Sequence, residues 1–251
     1  MAIQKTEGIL LRRQDLRETS IILTFYTRDF GKIKGIVRGV RGVRGQYGGG
    51  ALELFSCDEI VFYERRRSDI YTVSQCDLVD YFNPIRESLE KLAYATYLVE
   101  LLDSVMNLGD KHPEPYDLLR SSLALLSGDS SPKRVARIFE IKLLYIIGLM
   151  PSLELCAGCG AKAEGSARFS YVHGGLICKE CARTDRQTSP ILPGTVRFIE
   201  HVLGSPFDKA SRVKVAGPVG KELEVILRRF LDYHIERRLN TVQFIREIEK
   251  T

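Results

Sequence analysis

The chain has 251 residues, 44% hydrophobic and 27% charged, with six cysteines and no tryptophan, an ordinary globular balance with enough apolar material for one large domain or two to three small ones without disulfide staples. No apolar stretch approaches the roughly 18 residues that a membrane span requires. The opening Met1-Ala2-Ile3-Gln4-Lys5 has no basic stretch leading into an apolar run, so no secretion signal is expected and the cytoplasm is the expected compartment.

Residues 1–82 read as β structure. Gly8-Ile9-Leu10-Leu11 is a short apolar run, and Ile21-Ile22-Leu23-Thr24-Phe25-Tyr26 is rich in strand formers. Arg28-Asp29-Phe30-Gly31 signals a turn into a partner strand, Lys32-Ile33-Lys34-Gly35-Ile36-Val37. Glu59-Ile60-Val61-Phe62-Tyr63 and Ile70-Tyr71-Thr72-Val73 flank another turn at Arg65-Arg66-Arg67-Ser68-Asp69. Five short strands in about 80 residues predict a small barrel or a sandwich.

The pattern changes at Asn83-Pro84, an N-cap residue followed by a proline suited to the first helical position. Ile85, Leu89, Leu92 and Val99 then recur near the helical period, and Gly109 is expected to end that helix. Ser131-Pro132 repeats the start signal before an apolar face of Val135, Ile138, Phe139, Leu143 and Ile146, closed by Gly148 and Pro151. A last long helix is expected from Pro218, with Val219, Leu223, Ile226, Leu227, Phe230, His234 and Ile235 on one face. The predicted layout is an α+β multidomain chain, with a β domain over residues 1–82 and an α-helical domain over 83–251 that carries a cysteine-bearing insertion at 152–190.

Cys156-Ala157-Gly158-Cys159 and Cys178-Lys179-Glu180-Cys181 are separated by eighteen residues, within the zinc-ribbon window. Two residues between cysteines let both thiolates of a knuckle face one ion, and four thiolates fill a tetrahedral shell with no position left for water. The expected cofactor is therefore one structural Zn²⁺ held by Cys156, Cys159, Cys178 and Cys181; redox pairs or disulfides are the alternative. His173 between the pairs reads as a surface-loop residue, and Cys57 and Cys76 as small buried hydrophobes.

Net charge is +5, and its distribution is uneven: from Arg28 to Tyr47 the basic residues are Arg28, Lys32, Lys34, Arg38, Arg41 and Arg44, against Asp29 alone. Such an excess points to an anionic partner, nucleic acid being the commonest, or to a strand edge guarded by charge. Val-Arg-Gly repeats three times from Val37 to Gly45, a period that fits neither strand nor helix, so its later part reads as a loop. In an extended chain its arginines lie about 10 Å apart, far enough to meet separate phosphates. Arg65 and Arg66 extend the basic surface, or are a solvated hairpin tip. Phe25, Tyr26, Phe30 and Tyr63 are stacking candidates that read rather as core.

Enzymatic readings fail on residue pattern. Gly217-Pro218-Val219-Gly220-Lys221-Glu222 misplaces the first glycine of a phosphate loop and lacks its hydroxyl residue. His112-Pro113-Glu114 matches a zinc-deaminase triplet by letters, yet Leu155 stands where proline should precede the cysteine pair. No catalytic residue is assigned. A zinc-ribbon factor in transcription or translation accounts for the cysteines and the charge but not for the β-then-helical layout.

Glu7-Gly8-Ile9-Leu10-Leu11-Arg12-Arg13, Glu18 to Arg28, Gly31-Lys32, and Val37-Arg38-Gly39-Val40-Arg41 resemble the start of the RecO family of bacterial recombination mediators. The similarity continues through Tyr94 to Leu101, Phe139 to Leu144, Gly148-Leu149-Met150-Pro151 and Cys156-Ala157-Gly158-Cys159-Gly160. The resemblance implies an N-terminal OB-fold, a helical domain and a four-cysteine zinc module. It implies binding of single- and double-stranded DNA, annealing of complementary strands and, with RecR, help in loading RecA onto DNA coated by single-stranded DNA-binding protein (SSB). It implies binding of the SSB C-terminal tail by the helical domain, for which Arg228, Arg229, Arg237 and Arg238 are candidates unless they are merely a solvated helix surface. By resemblance Lys32, Arg38 and Arg41 match basic positions of the OB face, and the expected DNA contacts are Lys32, Lys34, Arg38, Arg41, Arg44, Arg65 and Arg66.

Overall fold

The computed structural model describes residues 3–16, 20–38, 52–63, 70–163, 168–215, 217–235 and 237–250. It divides into two compact units, Met1–Pro132 with Leu239–Thr251, and Lys133–Arg238. The expected division near residue 82 therefore falls inside the first unit, where helices pack directly on the barrel.

Five strands, β1 (Ile3–Leu16), β2 (Ser20–Thr27), β3 (Gly31–Arg38), β4 (Cys57–Tyr63) and β5 (Ile70–Asp80), close a barrel in the order β1-β2-β3-β5-β4. Neighbours are antiparallel except β3 and β5, which run parallel. This is the OB-type barrel, and the sandwich alternative is not realised. Strand alternation explains the closure: on β3, Ile33 and Val37 are buried inside while Lys32, Lys34, Ile36 and Arg38 alternate outward. Leu10, Ile21, Leu23, Phe25, Ile60, Phe62 and Val73 complete the core. A Cβ on Gly35 would lie 2.4 Å from Val73 Cγ2, so only glycine permits the close β3–β5 approach. Cys57 and Cys76 are buried as expected of small hydrophobes, and burial pushes both thiols up.

Four helices follow, α1 (Asn83–Arg86), α2 (Leu89–Val105), α3 (Glu114–Ser127) and α4 (Pro132–Ile146). The single helix expected from Asn83 is two. Pro84 opens only one turn, and the Ser88 hydroxyl accepts from the Lys91 N–H to cap a fresh start. Gly109 does not end α2, which stops at Val105; with φ +81° it turns the chain back so that its N–H donates to the Lys32 carbonyl at 2.9 Å. Helix α3 carries buried Tyr116, Leu119, Leu123 and Leu126 at helical spacing and was not anticipated, because no side chain caps its start. Helix α4 begins at the expected Pro132. It ends on Gly148 at φ +73°, with Gly148 N–H on the Tyr145 carbonyl and Leu149 N–H on that of Leu144.

The second unit begins with α4; in it β6 (Arg168–Ser170), β7 (Gly175–Ile177) and β8 (Thr188–Pro190) form a small sheet ordered β7-β6-β8. Helices α5 (Pro193–Gly204), α6 (Phe207–Ser211) and α7 (Gly217–His234) follow, the last close to the helix expected from Pro218. Phe169 of β6 meets Phe230 of α7 edge-on at 5.7 Å, joining sheet to helix. Helix α8 (Thr241–Ile248) belongs to the first unit: Glu100 of α2 accepts the Asn240 and Thr241 N–H groups, each at 2.9 Å, and Tyr94 donates to Glu249 at 2.7 Å. Among the described residues, no helix is long and apolar enough to cross a membrane.

One carboxylate ties barrel to helix. Asp103, near the end of α2, takes Arg12 of β1 and, at 2.8 Å, Lys32 of β3. The same ammonium donates to the Asp103 and Met106 carbonyls at 2.5 and 3.0 Å. Burial alone raises this carboxyl, but the hydrogen bond and charge of Lys32, then of Arg12, outweigh it and hold it below the ordinary carboxylate range. Asp58 is the contrary case: burial pushes it up to about 6 against the hydrogen bond from Ser56.

Asp103→Ala leaves two cations with no carboxylate, and should lower the unfolding free energy by about 3 kcal/mol in urea titrations at neutral pH. Because the folded pKa is depressed, the Asp103 contribution is present above the unfolded value near 4 and fades as pH falls through the lower folded value. The gap between wild type and variant should therefore close below about pH 4. Asp58 has the opposite sign: its contribution is complete below the unfolded value and is lost as pH rises through about 6. Asp58→Asn should thus gain about 2 kcal/mol on wild type between pH 4 and pH 8.

Candidate nucleic-acid interface and metal centre

The strand register lays out the outer barrel face in three rows. Arg12, Thr24, Lys34 and Ile70 lie side by side across β1, β2, β3 and β5. Gln14, Ile22, Ile36 and Thr72 form the next row, and Leu16, Ser20 and Arg38 the third. Ile22 and Ile36 are half-buried, Gln14 and Arg38 exposed. The face is thus a low aliphatic centre with Lys34 on one side and Arg38 on the other. Neither cation meets a carboxylate among the described residues, and such a surface attracts a polyanion by charge.

Lys32, expected among the DNA contacts, is engaged within the fold. Its side chain is 12% exposed and its ammonium is taken by Asp103 and two carbonyls, because β3 enters the barrel beneath the chain that leaves α2. Gly31, at φ +64°, makes that approach possible: a Cβ there would lie 1.7 Å from the Asp110 carbonyl oxygen. Tyr26 donates to the His112 carbonyl at 3.0 Å on the same side, and burial pushes its hydroxyl up. The three rows are therefore closed at the Lys32 end and run out toward Arg38. The expected contacts Arg41, Arg44, Arg65 and Arg66 lie outside the described residues.

Phe25 and Tyr26 are buried, and Phe30 packs edge-on against Phe62 at 5.2 Å, so these stacking candidates belong to the core, as the sequence favoured. Within the three rows the apolar groups are aliphatic, so charge rather than ring stacking characterises the face. Gln14, Ile22 and Ile36 were not singled out from sequence. Two-residue alternation marks them as outward-facing, but only the register sets them between Lys34 and Arg38.

The metal centre is assembled by two knuckles. Gly160 N–H donates to the Cys156 carbonyl at 2.8 Å and takes φ +74°, folding the first knuckle. A Cβ on Gly158 would approach Cys181 Sγ to 3.2 Å, so glycine keeps room between the knuckles. The four sulfurs of Cys156, Cys159, Cys178 and Cys181 all lie within 4.8 Å of one another, and Cys159 and Cys178 are 3.8 Å apart. A tetrahedral ion at a metal–sulfur distance of about 2.3 Å places its sulfurs about 3.8 Å apart, whereas a disulfide needs about 2.05 Å. The arrangement fits a metal ion, and all four cysteines are free of disulfides.

Cys156 is the buried member. Burial opposes its ionisation, but N–H groups of Cys178, Cys159 and Gly158 aimed at the sulfur outweigh it and lower the thiol to about 6. Cys181 is pushed up to about 12, because it shares protons with the neighbouring thiols. One thiolate is thus prepared and the other sulfurs crowd it, an imbalance that a cation relieves. His173 is an exposed turn residue, as expected. His112 pairs with Glu114 at 3.1 Å on the surface.

Of the candidate basic cluster, Arg228 is closed onto Asp232, with Nη2 2.5 Å from the carboxylate, while Arg229, Arg237 and Arg238 are exposed.

The family model described as "Recombination protein O N terminal" matches residues 1–82, and that described as "Recombination protein O C terminal" matches residues 86–243. The chain is 32% identical over 249 residues to a "DNA repair protein RecO" of Symbiobacterium thermophilum, covering 98% of this chain and 97% of that one. Proteins of the same name from Moorella thermoacetica and Anaeromyxobacter dehalogenans are 34% and 35% identical, each over 97% of this chain and over 91% and 96% of their own length. Continuous similarity through both the barrel and the cysteine-bearing second half makes this chain a member of the RecO family.

Proposed function

We propose that this chain is a recombination mediator in DNA repair that acts in the cytoplasm, at the nucleoid. Its barrel face holds single- and double-stranded DNA without sequence preference and brings complementary strands together. With RecR it helps RecA load onto single-stranded DNA coated by SSB, whose C-terminal tail the helical domain engages. The observation that carries this reading is the in-register Lys34 and Arg38 on an outward barrel face, in a chain whose curated relatives are DNA repair proteins over nearly their whole length. Arg41, Arg44, Arg65 and Arg66 belong to the same proposal from sequence. Lys32 contributes by holding the strand in place, not by meeting phosphate.

No bond is made or broken in this mechanism. Strands on a cationic surface repel each other less, because the protein supplies charge that counterions otherwise provide, and the released counterions favour binding. With aliphatic side chains at its centre, the face tolerates any base. The four cysteines hold one Zn²⁺ as a structural ion, since a closed shell of thiolates leaves no position for water or substrate.

Charge reversal at Lys34 and Arg38 together should weaken binding of a labelled single strand strongly. It should also flatten the slope of log affinity against log salt by about one per lost phosphate contact. Arg228→Glu, already paired to Asp232, should cost much less; equal losses at the two places would remove the barrel face as the main site. For the metal, a zinc chelator should lower the melting temperature before it abolishes DNA contact, and metal analysis should return one zinc per chain. An unchanged melting temperature after complete metal removal would reject the structural assignment.

A further inference from the structure

We infer that the second unit carries its own site for one nucleotide of a single-stranded nucleic acid, in a cleft between the metal module and α7. The cleft has a volume of about 450 Å³ and is lined by Tyr171, Arg186, Gln187, Thr188, Arg229 and Tyr233, with Asp232 at its side. That size falls in the range of small-ligand sites, about 300–1,000 Å³.

The charges are unbalanced toward an anion. Among the described residues Asp232 is the only carboxylate of the lining, and it is already neutralised by Arg228, through Nε at 3.1 Å and Nη2 at 2.5 Å. Arg186 and Arg229 have no carboxylate partner among the described residues. The Arg229 guanidinium stands 5.9 Å from the ring centre of Tyr171, a buried ring fixed by donation of its hydroxyl to Ser189 at 2.9 Å. Arg229 is thus placed by a cation–π contact that leaves its N–H donors unused. Tyr233 is 50% exposed and is braced edge-on by His234 at 5.2 Å, so a flat, supported ring faces outward.

The wall from the metal module is equally well placed. Asp185 accepts the Gln187 N–H at 2.8 Å and the Ser170 hydroxyl at 2.5 Å, and the Gln187 carbonyl accepts the Tyr171 N–H at 3.1 Å. The backbone of Gln187 is therefore committed, while its side-chain amide has no hydrogen-bond partner among the described residues. A supported aromatic face, two unpaired guanidinium groups and an amide are what a nucleotide calls for: a ring to stack on, donors for phosphate and a partner for a base edge. An acidic peptide would occupy the guanidinium groups but leave the ring and the amide without a role. None of these residues belongs to the barrel face, so the site stands or falls independently of DNA binding there; Arg229 alone is shared with the candidates for the SSB tail.

The test uses the zinc-loaded full chain and an oligothymidylate carrying 5-iododeoxyuridine, photo-cross-linked and mapped by mass spectrometry. Cross-links in peptides containing Tyr171 or Tyr233 are expected, and they should persist when Lys34 and Arg38 are reversed. In that background, Tyr233→Ala and Arg229→Glu should each lower affinity for the single strand about tenfold. Tyr233→Phe should retain it, and Arg183→Glu, on an exposed side chain outside the lining, should change nothing. Thermal melts exclude misfolding as the cause. Cross-links confined to barrel peptides, unchanged affinity in the cleft variants, or a cleft that takes an aspartate-rich peptide and no oligonucleotide would each overturn the site. In the unaltered chain, cross-links in the cleft with none in barrel peptides would remove the barrel reading and leave this one standing.

Discussion

Asp103 holds the first unit in its working arrangement. A carboxylate that is only slightly exposed takes a cation from β1 and another from β3, and the carbonyls around it complete the ammonium's hydrogen bonds. An ion so deeply placed is tolerated only when its partners are fixed, so the pair of contacts locks the end of α2 against two barrel strands. The lock also sorts the basic residues of β3. Lys32 becomes part of the frame, and Lys34 and Arg38, two and six positions on, keep their charges for the outside.

Sorting of this kind separates the two means by which a barrel holds nucleic acid. Rings that stack on bases must be exposed, and the aromatic residues of β2 and the following turn are instead consumed by the core. What is left outside is charge around a short aliphatic patch, which suits a proposed mediator that takes any sequence and releases it again. The ring that is available stands in the second unit, where exposed Tyr233 borders a cleft with arginines. If both readings hold, the chain divides the labour, with charge on one unit and stacking on the other.

The metal module serves the second unit as Asp103 serves the first. Its sheet is three strands of three residues each, too short to stand alone. It is anchored at one end by the sulfur cluster and at the other by Phe169 against Phe230. Strand β8 and the turn before it, which supply one wall of the cleft, depend on that anchorage through Asp185 and Ser170.

The sequence by itself determined what depends on local period and spacing. Alternation located five strands, proline and glycine placed both ends of α4, and paired Cys-x-x-Cys motifs picked out the four cysteines that cluster where a metal ion fits, because a knuckle needs only its own few residues to aim two sulfurs at one point. It did not determine the break between α1 and α2, where the Ser88 cap competes with the start at Pro84, nor α3, whose first turn has no side-chain cap. Tertiary structure alone decided which lysine is structural. Lys32 and Lys34 are equivalent in type and alternation, and only the return of the chain after α2, far away in sequence, brings Asp103 to one and not the other. The same holds for the cleft at Tyr233: its members come from separate segments, and a site built from long-range contacts leaves no period in the chain to be read.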